Sequence, residues 1–134
     1  MFHLSKERQV LLTQKIMTSL DEWGLSASDQ VTVLGLPEDT RTRKLRAFHD
    51  DTPLPEGDTV EFRAVRLLGI IDALRTTYPK NEMMGGRWMK APHRRFQKRT
   101  PIQVMLEEGD TGVNSVLAEL DCSYAWELSG SQAK

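Results

Sequence analysis

The sequence predicts an all-α fold, with N-terminal helix-turn-helix helices followed by a small helical domain. Three observations carry that reading. Strand signals are almost absent, since Gln30 to Leu34 (QVTVL) is the only run that alternates, and it is short. Apolar residues recur at helical spacing in one segment after another. Ser, Thr, Asp or Asn stand where those segments begin, and Gly or Pro where they stop.

The elements follow in order. Ser5 is a candidate N-cap, with Arg8 at the position where a capping box would carry Glu; behind it Leu12, Ile16, Leu20 and Trp23 keep helical spacing to Gly24. Ser26 or Ser28 caps a short helix with Val31 and Leu34 that Gly35 closes. Pro37 near a helix start, with Glu38 and Asp39 at the positive end of the dipole, predicts a third helix through Leu45 and Phe48. The breaker-rich 50–57 stretch (DDTPLPEG) is the candidate boundary, giving domains 1–57 and 58–134.

Asp58 or Thr59 caps a long helix whose stripe is Val60, Ala64, Leu67, Leu68, Ile71 and Leu74, ending at Pro79. Asn81 to Lys90 predicts another, weakened by Gly85-Gly86. Thr100-Pro101 reads as N-cap and first helical position of a helix ending at Gly109. Val113, Val116, Leu117 and Leu120 mark a last amphipathic helix, followed by a short tail with Tyr124, Trp126 and Leu128.

Composition narrows the function. With 39% hydrophobic residues and three Trp in 134 residues, the chain can bury a core. Net charge is −1, so no global basic excess recommends nucleic acid. The distribution says more. Arg87, Lys90, Arg94, Arg95, Lys98 and Arg99 run without an acid until Glu107, whereas the chain from Pro101 onward holds six acids and one cation. A single cysteine, Cys122, makes no internal disulfide. His3, His49 and His93 stand at no metal-ligand spacing, so no metal or cofactor is expected. No apolar run approaches the roughly 18 residues of a membrane span, and the N-terminus lacks a signal-type apolar core, which reads as cytoplasmic. No nucleophile–base pair can be assembled, so an enzyme is not expected.

Two short helices around Leu34-Gly35-Leu36-Pro37 have helix-turn-helix proportions. The second would read DNA with Thr40, Arg41, Arg43, Lys44 and Arg46 outward and Leu45 and Phe48 inward. Donors near the start of such a helix reach phosphates and base edges. A solvated basic helix is the plain alternative. The Lys90–Arg99 run likewise reads as a solvated loop or as a contact for protein or DNA. Trp23 and Trp88 read as core, and Trp126 as an interface residue.

In the second half, the order Leu68-Gly69-Ile70, Ala73-Leu74, Tyr78-Pro79, Trp88-Met89, Pro92-His93, Phe96, Arg99-Thr100-Pro101-Ile102, Met105 and Gly109 resembles the toxin-binding domain of the Xre/MbcA/ParS antitoxin family over residues 58–124. The upstream Leu34-Gly35-Leu36 turn resembles the Xre-like helix-turn-helix that precedes it in many members. His93 stands where Asn is usual, and Gln97-Lys98 replaces the usual Gly-Gly, a stiffer and more basic turn.

The resemblance implies an antitoxin of a type II toxin–antitoxin system. It would block the active site of a RES-type, NAD-degrading toxin and repress its own operon by binding operator DNA, as a homodimer within a larger complex. A ParT-like ADP-ribosylating toxin is the alternative partner, and a stand-alone dimeric repressor the alternative function. The implied toxin-binding residues are Arg94, Arg95 and Phe96 in the loop, and Tyr124, Trp126 and Glu127 in the tail.

Overall fold

The computed structural model describes residues 4–133, and their side chains apart from Glu82 and residues 122–133. His3 therefore lies outside the described residues, as do the side chains of Cys122, Tyr124, Trp126 and Glu127. The described chain is helical, with an isolated antiparallel bridge between His93 and Arg99. The elements are α1 (Lys6–Glu22), α2 (Ala27–Leu34), α3 (Thr42–Asp50), α4 (Asp58–Thr77), α5 (Glu82–Lys90), a 3-10 turn at Arg94–Phe96, and α6 (Pro101–Ala133). The chain divides into two compact units, Met1–Leu68 and Gly69–Lys134. The division falls within α4.

In the first unit, Ser5 caps α1 by accepting from the Arg8 amide at 3.2 Å, and Ser26 caps α2 by accepting from the Asp29 amide at 3.1 Å. The alternating QVTVL run lies inside α2, where Val31, Val33 and Leu34 are buried. Gly35 closes that helix at φ 72°, a left-handed position that glycine adopts without steric cost. A Cβ there would also stand 2.6 Å from Thr59 Cγ2. Arg63 of α4 donates to the Thr32 and Val33 carbonyls at 3.1 and 3.0 Å, which places a cation on the negative end of α2.

The third helix begins later than Pro37 suggests. Residues 37–40 form a turn instead, in which the Thr40 amide and hydroxyl both donate to the Pro37 carbonyl, at 3.0 and 2.7 Å. Thr40 thus satisfies locally the carbonyl that a helix would have used. Helix α3 starts at Thr42 with Arg41 at the N-cap and no side-chain cap bond. Glu38 and Asp39 are exposed in the turn, away from any helix start.

Helix α3 packs on α1 through Leu45 and Phe48, among Ile16, Met17 and Leu20 in a core that is almost fully buried. The 50–57 stretch is folded onto this core. Leu54 is buried and its amide donates to the buried Thr13 hydroxyl at 3.1 Å.

One carboxylate ties three helices together. Asp21 of α1 accepts from Gln30 of α2 at 2.8 Å and from His49 of α3 at 2.6 Å. His49 Nδ1 faces the Leu45 carbonyl at 2.9 Å. Both ring nitrogens face acceptors, so the fully bonded form is the imidazolium. Burial pulls the His49 pKa down, but the Leu45 carbonyl and the Asp21 carboxylate outweigh it and raise the pKa above the ordinary histidine value.

The sign of the pH effect follows. A raised folded-state pKa gives a stability contribution that is complete below the unfolded value of about 6.5. That contribution is lost as pH rises through the folded value. The wild type should therefore lose a little stability as pH rises above about 6.5, and Asp21→Asn should flatten that loss. An equally sloped Asp21→Asn profile would contradict this assignment.

The second unit is built from the end of α4, α5 and α6. Asn81 caps α5 by accepting from the Met83 amide at 3.1 Å. Thr100 and Gln103 form a reciprocal capping box at the start of α6, with bonds of 3.0 and 2.8 Å. Ile70, Leu74, Met89, Val104, Met105, Val113, Val116 and Leu120 fill the core.

Helix α6 is two helical pieces joined across a kink at Gly109, whose φ 60° and ψ −129° only glycine adopts readily. The expected break at Gly109 is this kink. The expected tail is instead a helical continuation of α6 to Ala133.

Candidate functional site

Residues 91–100 form a closed loop between α5 and α6. Pro92 stops α5, and the chain returns on itself. The His93 amide donates to the Arg99 carbonyl at 3.1 Å, and the Phe96 and Lys98 amides donate to the His93 carbonyl at 3.0 and 2.9 Å. The His93 ring donates from Nε2 to the Trp88 carbonyl at 2.9 Å.

Trp88, His93 and Phe96 form an aromatic trio. The Trp88–His93 centroids are 4.7 Å apart, and Phe96 meets both rings edge-on at 6.5 and 6.2 Å. Phe96 is buried and Trp88 half-buried.

Two residues of this loop hold left-handed backbone, Gln97 at φ 58° and Lys98 at φ 68°. These are the positions where the resemblance leads one to expect Gly-Gly. The backbone geometry the glycines would supply is kept without them, at a cost of about 1–2 kcal/mol per residue.

Beside the loop, a groove of about 470 Å³ runs along α6, with Phe96, Val104 and Ala118 among its apolar lining and Arg95 and Glu119 on its walls. Arg95 and Glu119 stand 3.7 Å apart, with Arg95 76% exposed. Arg99 is clamped to Glu108 at 2.6 Å and Glu107 at 3.0 Å. Those two carboxylates raise the guanidinium's basicity further, Glu108 the more strongly. The clamp joins the loop to the first piece of α6.

The sequence reading missed this clamp and the Glu119 wall. No local spacing signals either one, because both pairs join residues that only the folded loop brings together.

On the first unit, Arg41, Arg43, Lys44 and Arg46 are all exposed, while Leu45 and Phe48 turn inward. Thr40 is half-buried in the preceding turn and lies outside the helix. The connection from α2 to α3 covers residues 35–41, longer than the three- to four-residue turn of a tight helix-turn-helix.

The loop brings Arg94, Arg95 and Phe96 together on the 3-10 turn, the two Arg exposed and Phe96 inward. Tyr124, Trp126 and Glu127 lie on the continuation of α6, with their side chains outside the described residues.

Among the described residues no group of His, Cys, Asp and Glu could hold a metal ion, and no helix is long and apolar enough to cross a membrane.

The second unit is thus a small helical unit, with a stiff basic loop beside a grooved, kinked helix. Residues 73–122 match the family model of the antitoxin Xre/MbcA/ParS C-terminal toxin-binding domain. The match covers this segment of the second unit, and the chain's likeness to antitoxins rests on it. No curated protein and no solved structure matches the chain.

Proposed function

We propose that this chain is the DNA-binding antitoxin of a type II pair, acting by stoichiometric blockade and without catalysis of its own. The observation that carries the reading is the coincidence of the 73–122 family match with a compact helical unit. That unit, residues 58–134 in the sequence reading, docks on the toxin. The loop residues Arg94, Arg95 and Phe96 and the helix end with Tyr124, Trp126 and Glu127 form the contact, Phe96 by anchoring the loop. The end of α6 obstructs the mouth of a RES-type toxin and keeps out its nucleotide substrate. Buried aromatic and Arg positions are the residue types that anchor such interfaces.

The first unit holds the operator through Arg41, Arg43, Lys44 and Arg46 on α3, with Thr40 in the turn before it. Three exposed cations on one short helix, with a fourth, Arg41, at its N-cap, support phosphate contacts. Two-fold pairing of the chain would set two such helices about 34 Å apart and require a palindromic site. The protein would act in the cytoplasm.

Growth of cells co-expressing the chain with the product of the neighbouring reading frame tests the reading. Protection by the wild type is expected. Arg41→Ala with Arg43→Ala should keep protection while abolishing operator retardation. Truncation after Ser123 should keep the second unit folded yet restore toxicity. A neighbour that is harmless when expressed alone would remove the antitoxin reading, and a truncated chain that still protects would remove the helix end from the mechanism.

A further inference from the structure

We infer that the partner presents an acidic patch to the 87–98 surface, which acts as a preorganised cationic rim; the inference rests on the toxin-binding reading of the second unit. Arg87, Lys90, Arg94 and Lys98 are exposed, and none has a carboxylate within 4.0 Å among the described residues. Arg95 is barely neutralised by Glu119 across 3.7 Å at its high exposure, and only Arg99 is fully engaged. No acid stands between Met83 and Leu106 to offset them.

Cations kept only for solubility need no fixed backbone, yet this surface has one. Hydrogen bonds close the loop from His93 to Arg99, and the aromatic trio and the Arg99 clamp pin it from beneath. Gln97 and Lys98 are both exposed at positive φ, so their strain does not serve to bury their own side chains. Strain of this kind persists where the surrounding structure holds a surface in a working shape.

The rest of the unit decides between an acidic protein and DNA. Glu107, Glu108, Asp110 and Asp121 are exposed on α6. Glu107 and Glu108 meet the loop at Arg99 and Glu119 stands 3.7 Å from Arg95, so a continuous polyanion meeting the loop would meet acids as well. A protein surface of mixed sign matches both, and such complementarity fixes register and raises the association rate more than the affinity.

The test uses the full chain and the product of the adjacent reading frame, inactivated in its catalytic residue. Association is followed by stopped flow at low and physiological salt. Arg87→Gln, Lys90→Gln and Arg94→Gln together should slow association about tenfold at low salt, leave dissociation nearly unchanged and flatten the salt dependence. These substitutions avoid the strained positions, and an unchanged melting curve verifies the fold.

A complex whose association rate and salt dependence do not change in the triple variant overturns the inference while sparing the toxin-binding reading. Loss of duplex-DNA retardation by the triple variant, with toxin association intact, overturns it in favour of phosphate contacts. Failure of the wild type to form any complex removes the toxin-binding reading, and this inference with it.

Discussion

Gly112→Ala is expected to destabilise the second unit by about 3 kcal/mol, the upper part of the range for overpacking a close contact. A Cβ at position 112 would stand 2.2 Å from the Val104 carbonyl oxygen and 2.9 Å from its carbon. Both are backbone atoms, so no flexible side chain can yield. The contact arises because Gly109 reverses the course of α6 and brings its second piece back against the first. Relief would require opening the kink, which would pull Val113 and Val116 from the core. Thermal unfolding should show a transition of the second unit lowered by more than 10 °C, since each kcal/mol shifts a domain of this size by roughly 4–8 °C. Toxin neutralisation should fall with it, while operator binding at low temperature should persist. A variant with wild-type melting would mean that the two pieces of α6 do not approach as described.

Phe48→Ala is expected to do the converse. Phe48 is 1% exposed and is, with Leu45, the inward anchor of α3 on α1. Truncating a buried Phe costs about 3–5 kcal/mol, as lost transfer energy and a residual cavity. Helix α3 has no side-chain cap and is only two to three turns long, so it has little stability apart from this packing. Amide exchange across α3 should rise sharply and operator retardation should be lost, while exchange in α5 and α6 should change little. Equal protection of α3 in variant and wild type would contradict its dependence on this one ring. The two substitutions together test whether the units work separately.

Helix existence was legible wherever periodicity and a cap coincided. Ser5, Ser26, Asn81 and Thr100 each mark a start with a side-chain bond that the folded chain makes. Gly35 and Gly109 mark ends because each holds a positive φ that glycine adopts at little cost. Pro37 misled. It is compatible with a first helical position, but Thr40 competes for its carbonyl and closes a turn instead. The polar SGSQAK stretch has no apolar stripe, so spacing predicts a tail past Leu120, yet helix continues to Ala133 without one.

At the candidate site, the acid-free run of cations from Arg87 to Arg99 marks the loop in the sequence. The Arg99 clamp and the Asp21–His49 tie could not be read, since helical spacing rules reach three or four residues and each pair lies beyond that. The strain at Gln97 and Lys98 was hinted at by the replacement of Gly-Gly, and it became definite only with backbone angles.

Isothermal titration of the full chain against the inactivated product of the adjacent reading frame is the most direct measurement of the central claim. The account predicts a saturable complex that Arg41→Ala with Arg43→Ala leaves intact and Gly112→Ala weakens. Absence of binding by the wild-type chain, or binding lost with the Arg pair and kept with Gly112→Ala, would contradict it.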